Sequence, residues 1–103
     1  MINQDKWFQF SLAQQLGNIG SELARARYWE EKQDSENRDQ ALMRALDLLD
    51  LTLGDSRWRL RFCELARLRE VVGDWYSGLK NYHISPKELE DYCVSFTLTP
   101  FKG

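Results

Sequence analysis

The sequence is short of the residues that most chemistry needs. It holds one histidine, His83, and two cysteines, Cys63 and Cys93, thirty positions apart. Two such thiols form neither a disulfide framework nor a zinc pattern, and they read as free thiols of a reducing cytosol. A lone histidine with no cysteine or carboxylate at ligand spacing is no metal site by pattern. Proline occurs twice, at Pro86 and Pro100, so no proline interrupts a helix before Pro86. No apolar run approaches the ~20 residues that a membrane span requires. The stretch MINQDKWFQF has no basic segment followed by an apolar run, so no secretion signal is expected. Neither sign of charge dominates. The net charge of −2 excludes nucleic-acid binding by bulk charge and leaves only a local patch. The patterns GxSxG, HExxH and GxGxxG and the phosphate loop are all missing.

What is present is helical periodicity. One domain, residues 1–103, is the natural reading of 103 residues. A chain of this size buries roughly two-thirds of its unfolded surface, enough for one core. Asp5 is placed to cap a first helix from Lys6 to about Gln33. On it Phe8, Leu12, Leu16, Ile19, Leu23 and Ala26 step by four and three along one face. A second stripe of small residues, Ala13, Gly17, Gly20 and Ala24, runs about 100° around the helix. Two interior glycines cost roughly 1 kcal/mol each against alanine. Close approach of a neighbouring helix would offset that cost, with the large stripe facing one partner and the small stripe another. The alternative is a break near Gly17–Gly20.

Glu30 to Asp39 is polar throughout and reads as a solvated loop, with Ser35 or Asn37 capping a second helix. That helix, about Arg38 to Leu53, buries Ala41, Leu42, Ala45, Leu48, Leu49, Thr52 and Leu53. Gly54 ends it, and Asp55 or Ser56 caps the third. So short a link predicts an antiparallel hairpin. The third helix, about Ser56 to Tyr76, carries Trp58, Phe62, Leu65, Leu68, Val72, Tyr76 and Leu79 and is expected to be the centre of the fold. Asn81 to Ile84, including Tyr82 and His83, is a connection. Ser85, Pro86 and Glu88 then signal a short fourth helix, with Leu89, Tyr92, Cys93 and Phe96 on one face. Thr97 to Gly103 reads as a tail. The fold class is all-α, an up-down four-helix bundle with a short fourth helix.

Five arginines, Arg57, Arg59, Arg61, Arg67 and Arg69, fall within thirteen residues, with Glu64 alone against them. Arg61 and Arg69 lie at the edges of the apolar face, where a guanidinium needs a carboxylate or carbonyl. Glu22, Asp47 and Asp50 are the candidate partners in an inter-helix salt-bridge network. Alternatively Arg57, Arg59 and Arg67, with Arg25, would contact the phosphates of a nucleic acid. A third reading, a metal-dependent phosphohydrolase, would use Glu22, Asp47 and Asp50, but only half of the usual carboxylate set is present. Thirteen aromatic residues exceed what so small a bundle buries comfortably. Trp7, Phe10, Tyr28, Trp29 and Trp75 are therefore interface candidates, and a homo-oligomer is expected. No cofactor is implied. The leading expectation is a cytoplasmic, non-enzymatic assembly or adaptor protein of unknown partner.

Three segments carry a resemblance: Leu16 to Ala26, Ala45 to Thr52, and Arg67 to Trp75. They resemble a small bacterial family of uncharacterised helical proteins. In layout the chain is also similar to the four-helix-bundle proteins of ribosomal-RNA intervening sequences and the accessory proteins of diversity-generating retroelements. The resemblance implies a ring-like homo-oligomer that binds nucleic acid or a nucleic-acid enzyme. It carries over no catalytic residue.

Overall fold

The computed structural model describes residues 4–79, 81 and 84–98, the last five by backbone alone. The described chain is all α-helical, with no strand. It runs α1 (Gln4–Trp7), α2 (Leu12–Glu31), α3 (Ser35–Leu53), a 3-10 turn (Ser56–Arg61), α4 (Phe62–Ser77) and α5 (Pro86–Leu98). The four long helices form the expected up-down bundle, with α5 the shortest of them.

The first expected helix is interrupted, but not at its glycines. α2 is continuous through Gly17 and Gly20. The break lies at residues 8–11, where Ser11 accepts a hydrogen bond from the Gln14 amide at 3.1 Å. The Gln14 side chain accepts from the Ser11 amide at 2.8 Å. This reciprocal cap satisfies two donors at the start of α2 and stops α1 after one turn. The second expected helix starts earlier because Asp34, not Ser35 or Asn37, is its cap, accepting from the Asn37 amide at 3.1 Å. Ser85 caps α5, accepting from the Glu88 amide at 3.1 Å. α5 continues to Leu98, so the expected tail begins later than Thr97. The Tyr82–His83 connection, Pro100 and the side chain of Phe96 lie outside the described residues.

The centre of the fold is α2, not the third expected helix. Close backbone contacts join α2 to α3, α2 to α5 and α3 to α4. α2 therefore lies between two neighbours, and Leu12, Leu16, Ile19, Leu23 and Ala26 are all buried on it. Its small stripe meets α5, as a Cβ added at Gly20 would lie 3.0 Å from Cys93 Cβ. On α3, Ala41, Leu42, Ala45, Leu49 and Thr52 are buried, while Leu48 and Leu53 pack part-buried at the edge. α4 buries Leu65, Leu68, Val71 and Val72. Phe62 and Tyr76, expected in its apolar stripe, are 49% and 40% exposed, and Leu79 is 69% exposed. The reason is that, among the described residues, the long helix α4 packs closely against is α3. Among the described residues, α4 and α5 are not a close-packed pair, and the seam between them stays open.

Candidate functional site

Two constellations stand out. The first is a buried polar clasp at one end of the bundle. Trp7 is 1% exposed and donates its indole N–H to Thr52 Oγ1 at 3.0 Å. Gln15, fully buried, donates to the Trp7 carbonyl at 3.0 Å and to Asp55 Oδ2 at 3.3 Å. Its Oε1 accepts from the Trp58 indole at 3.1 Å. Arg57 closes the set, with Nη2 donating to Asp55 at 2.6 Å and to the Phe10 carbonyl at 2.9 Å. Its guanidinium lies 4.5 Å from the centre of the Trp58 ring. Burial pushes the Asp55 carboxyl up. The hydrogen bonds from Arg57 and Gln15 outweigh that and leave it below the usual carboxylate range. With every buried side-chain nitrogen and oxygen among the described residues satisfied, the clasp rigidifies the fold.

The clasp corrects one expectation and relocates another. Trp7 is an internal residue, so it offers nothing to a partner. Arg57, a candidate for phosphate, is held by Asp55. The other interface candidates differ among themselves. Phe10, Trp29 and Trp75 are part-buried, and Trp75 donates to Glu30 at 2.9 Å. Tyr28 is 50% exposed and stacks edge-on with Trp29.

Three of the charged candidates, Arg69, Asp50 and Glu22, lie in inter-helix pairs. Arg69 on α4 donates to Asp50 on α3 at 2.9 Å. Glu22 on α2 receives Arg44 of α3 at 2.8 Å and its own-helix neighbour Arg25. Arg27 reaches Glu90 on α5 at 2.9 Å. Arg61 pairs with Glu64 at 2.7 Å rather than with another helix. Asp47 is exposed, adding its field to Arg69. Glu22, Asp47 and Asp50 form no common site. Among the described residues no group of three His, Cys, Asp or Glu side chains is placed to hold a metal ion. Arg59 and Arg67 are exposed, and Cys63 is exposed while Cys93 is buried. Burial pushes the Cys93 thiol up to about 12.

The second constellation is the open seam. It forms a groove of about 190 Å³ lined by Glu64, Arg67, Leu68 and Val71 of α4, Ile84 of the connection, and Tyr92 of α5. Its floor is apolar, and its charges stand at the mouth. The Tyr92 hydroxyl donates to Glu64 and bridges the seam at one point. Arg61 holds the Glu64 carboxyl below its ordinary value, and the Tyr92 hydroxyl adds to this. Burial, then the hydrogen bond to Glu64, pushes the Tyr92 phenol well above its ordinary range, so it stays a donor. Exposed apolar side chains flank the groove region in sequence. Leu60 is 90%, Leu79 is 69% and Ile84 is 41% exposed. No sequence pattern marks Leu60, Val71, Ile84 and Tyr92 as a site. The available signal is Leu60, an apolar residue isolated between Arg59 and Arg61.

This arrangement can seat an apolar side chain and flank it with one anion and one cation. No described helix is long and apolar enough to cross a membrane. In comparisons with known proteins, no family model, no curated protein and no solved structure matches this chain.

Proposed function

We propose that the chain is a non-enzymatic assembly module of the cytoplasm that works as a homo-oligomer, docking protein through its α4–α5 face. One observation carries the reading: the bundle leaves an apolar groove between two of its own helices, with Leu60, Leu79 and Ile84 exposed along the same part of the chain. Apolar surface that a fold gathers but does not cover marks a protein-docking site. The arginines support the phosphate reading less well, because Arg25 and Arg57 already have carboxylate partners.

Size-exclusion chromatography with light scattering tests this, with absorbance followed at 260 and 280 nm. The expected result is a defined oligomer free of nucleic acid. A monomer at micromolar concentration, or a 260 nm excess that travels with the protein, overturns it.

A further inference from the structure

α5 is seated differently from the other long helices. Its backbone lies close to α2 because the stripe beneath it is small, and a Cβ at Gly20 would come within 3.0 Å of Cys93 Cβ. A stripe of glycine and alanine lets two helices approach but offers little apolar area to bury. Ala13, Gly17 and Ala24 stay only part-buried with α5 in place. Of residues 86–93, Leu89 and Cys93 are buried, while Lys87, Glu88 and Asp91 face solvent. On the other flank the seam with α4 is open. The clasp that joins α1, α2, α3 and the turn before α4 uses Trp7, Gln15, Thr52, Asp55 and Trp58, none of them on α5.

Two polar attachments tie α5 down. The Tyr92 hydroxyl donates to Glu64, which Arg61 holds at 2.7 Å. Arg27 of α2 reaches Glu90 at 2.9 Å. Both attachments are part-exposed, so water competes for their groups. Gly78, at a φ of 74°, turns the chain out of α4 ahead of α5. From this arrangement we propose that α5 is a hinged flap: it leaves α2 as one unit, with Gly78 as its pivot and the Tyr92–Glu64 hydrogen bond as its latch, while α1 to α4 keep their packing. Opening bares the Gly20 flank of α2 and merges it with the apolar floor that Leu68 and Val71 give the groove. The chain then presents a larger apolar face than it shows closed, without unfolding. The flap works whether or not the chain assembles, so it stands apart from the assembly reading.

Cys93 reports the opening, because it is buried under the closed flap. Cys63 is exposed, so Cys63→Ser removes the competing thiol and serves as the parent. The full chain is labelled with methyl methanethiosulfonate in urea below the unfolding transition, where the rate is proportional to reagent concentration and reads an opening equilibrium. The Cys93 opening constant is expected to exceed the global unfolding constant at least about tenfold, with a shallower dependence on urea because less surface is exposed. Tyr92→Phe releases the latch and should raise Cys93 opening about fivefold. Gln15→Leu weakens the clasp, which is intact in both the closed and the open chain. It should raise the global unfolding constant at least about tenfold yet leave Cys93 opening within about twofold of the parent. Cys93 labelling that follows global unfolding in size and slope overturns the proposal. So does a Gln15→Leu variant in which Cys93 opening rises as much as global unfolding, or a Tyr92→Phe variant that labels at the parental rate.

Discussion

Gln15→Leu is the most informative single change in the clasp. Leucine has nearly the volume of glutamine and suits the interior of α2, so packing and helix propensity change little. What is lost is three hydrogen bonds, at 3.0, 3.3 and 3.1 Å. Asp55 keeps Arg57, so its loss is small. The Trp7 carbonyl loses the Gln15 amide, and the part-buried Trp58 indole loses its acceptor. An unsatisfied buried group costs about 1–3 kcal/mol, and the better desolvation of leucine returns part of that. The expected net loss is about 2–3 kcal/mol. For a domain of this size that is roughly a 10–20 °C fall in melting temperature. It is a large part of a typical total of 5–15 kcal/mol, yet the chain stays folded. Urea unfolding read by tryptophan fluorescence and by circular dichroism measures it, and both midpoints should fall together. Amide exchange over residues 4–10 should rise before the rest, since α1 is held by this network. A stability within about 0.5 kcal/mol of wild type, with residues 4–10 still protected, would refute the claim that Gln15 joins α1 to the α3–α4 link.

The remaining predictions concern backbone approach, acid and strain. Gly20→Ala gains about 1 kcal/mol of helix propensity but presses a methyl 3.0 Å from Cys93 Cβ, where overpacking costs about 1–3 kcal/mol. The expected outcome in urea is a net loss of about 1 kcal/mol; a net gain means that α5 does not lie so close. The Asp55 carboxyl is depressed in the folded chain, so its contribution is fully present above the unfolded value near about 3.9 and is lost as pH falls through the lower folded value. Between neutral pH and about pH 3, wild type should lose more stability than Asp55→Asn, which starts lower; parallel pH curves would contradict this. Gln33 holds a φ of 60° in the turn between α2 and α3, a left-handed conformation that glycine adopts without penalty. Gln33→Gly should raise stability by about 0.5–1 kcal/mol in thermal melts, and a loss would show that the turn is not strained there.

The bundle was legible because its signals are local. Gly54 ends α3, Ser85 starts α5, and five buried residues of α2 repeat at helical period. Two misjudgements share a physical cause. Phe62 and Tyr76 match the period of α4 but not its neighbours, since periodicity reports a preferred face and only the packed fold decides whether a second helix arrives to cover it. Trp7 looked surplus because its partner, Thr52, stands forty-five residues away, and no local pattern announces such a pairing. The break before α2 was readable in Ser11 and Gln14 as a capping box, but the apolar step from Phe8 to Leu12 runs straight across it and hides it. The groove was the least legible feature. It arises where, among the described residues, α4 and α5 do not pack closely, and a sequence lists only what each helix could bury.

The central position of α2 governs the order in which the chain can fold as it is synthesised. One flank of α2 is covered as soon as α3 emerges, and the clasp closes once Trp58 is free of the ribosome. The flank around Gly20 has a different timetable, because its cover is α5, which emerges after α3 and α4. Until then the nascent chain carries a long helix with one side finished and the other bare. A chaperone that holds apolar helical faces would have its natural window between those two events, and a chain stopped after α4 would remain in that window permanently.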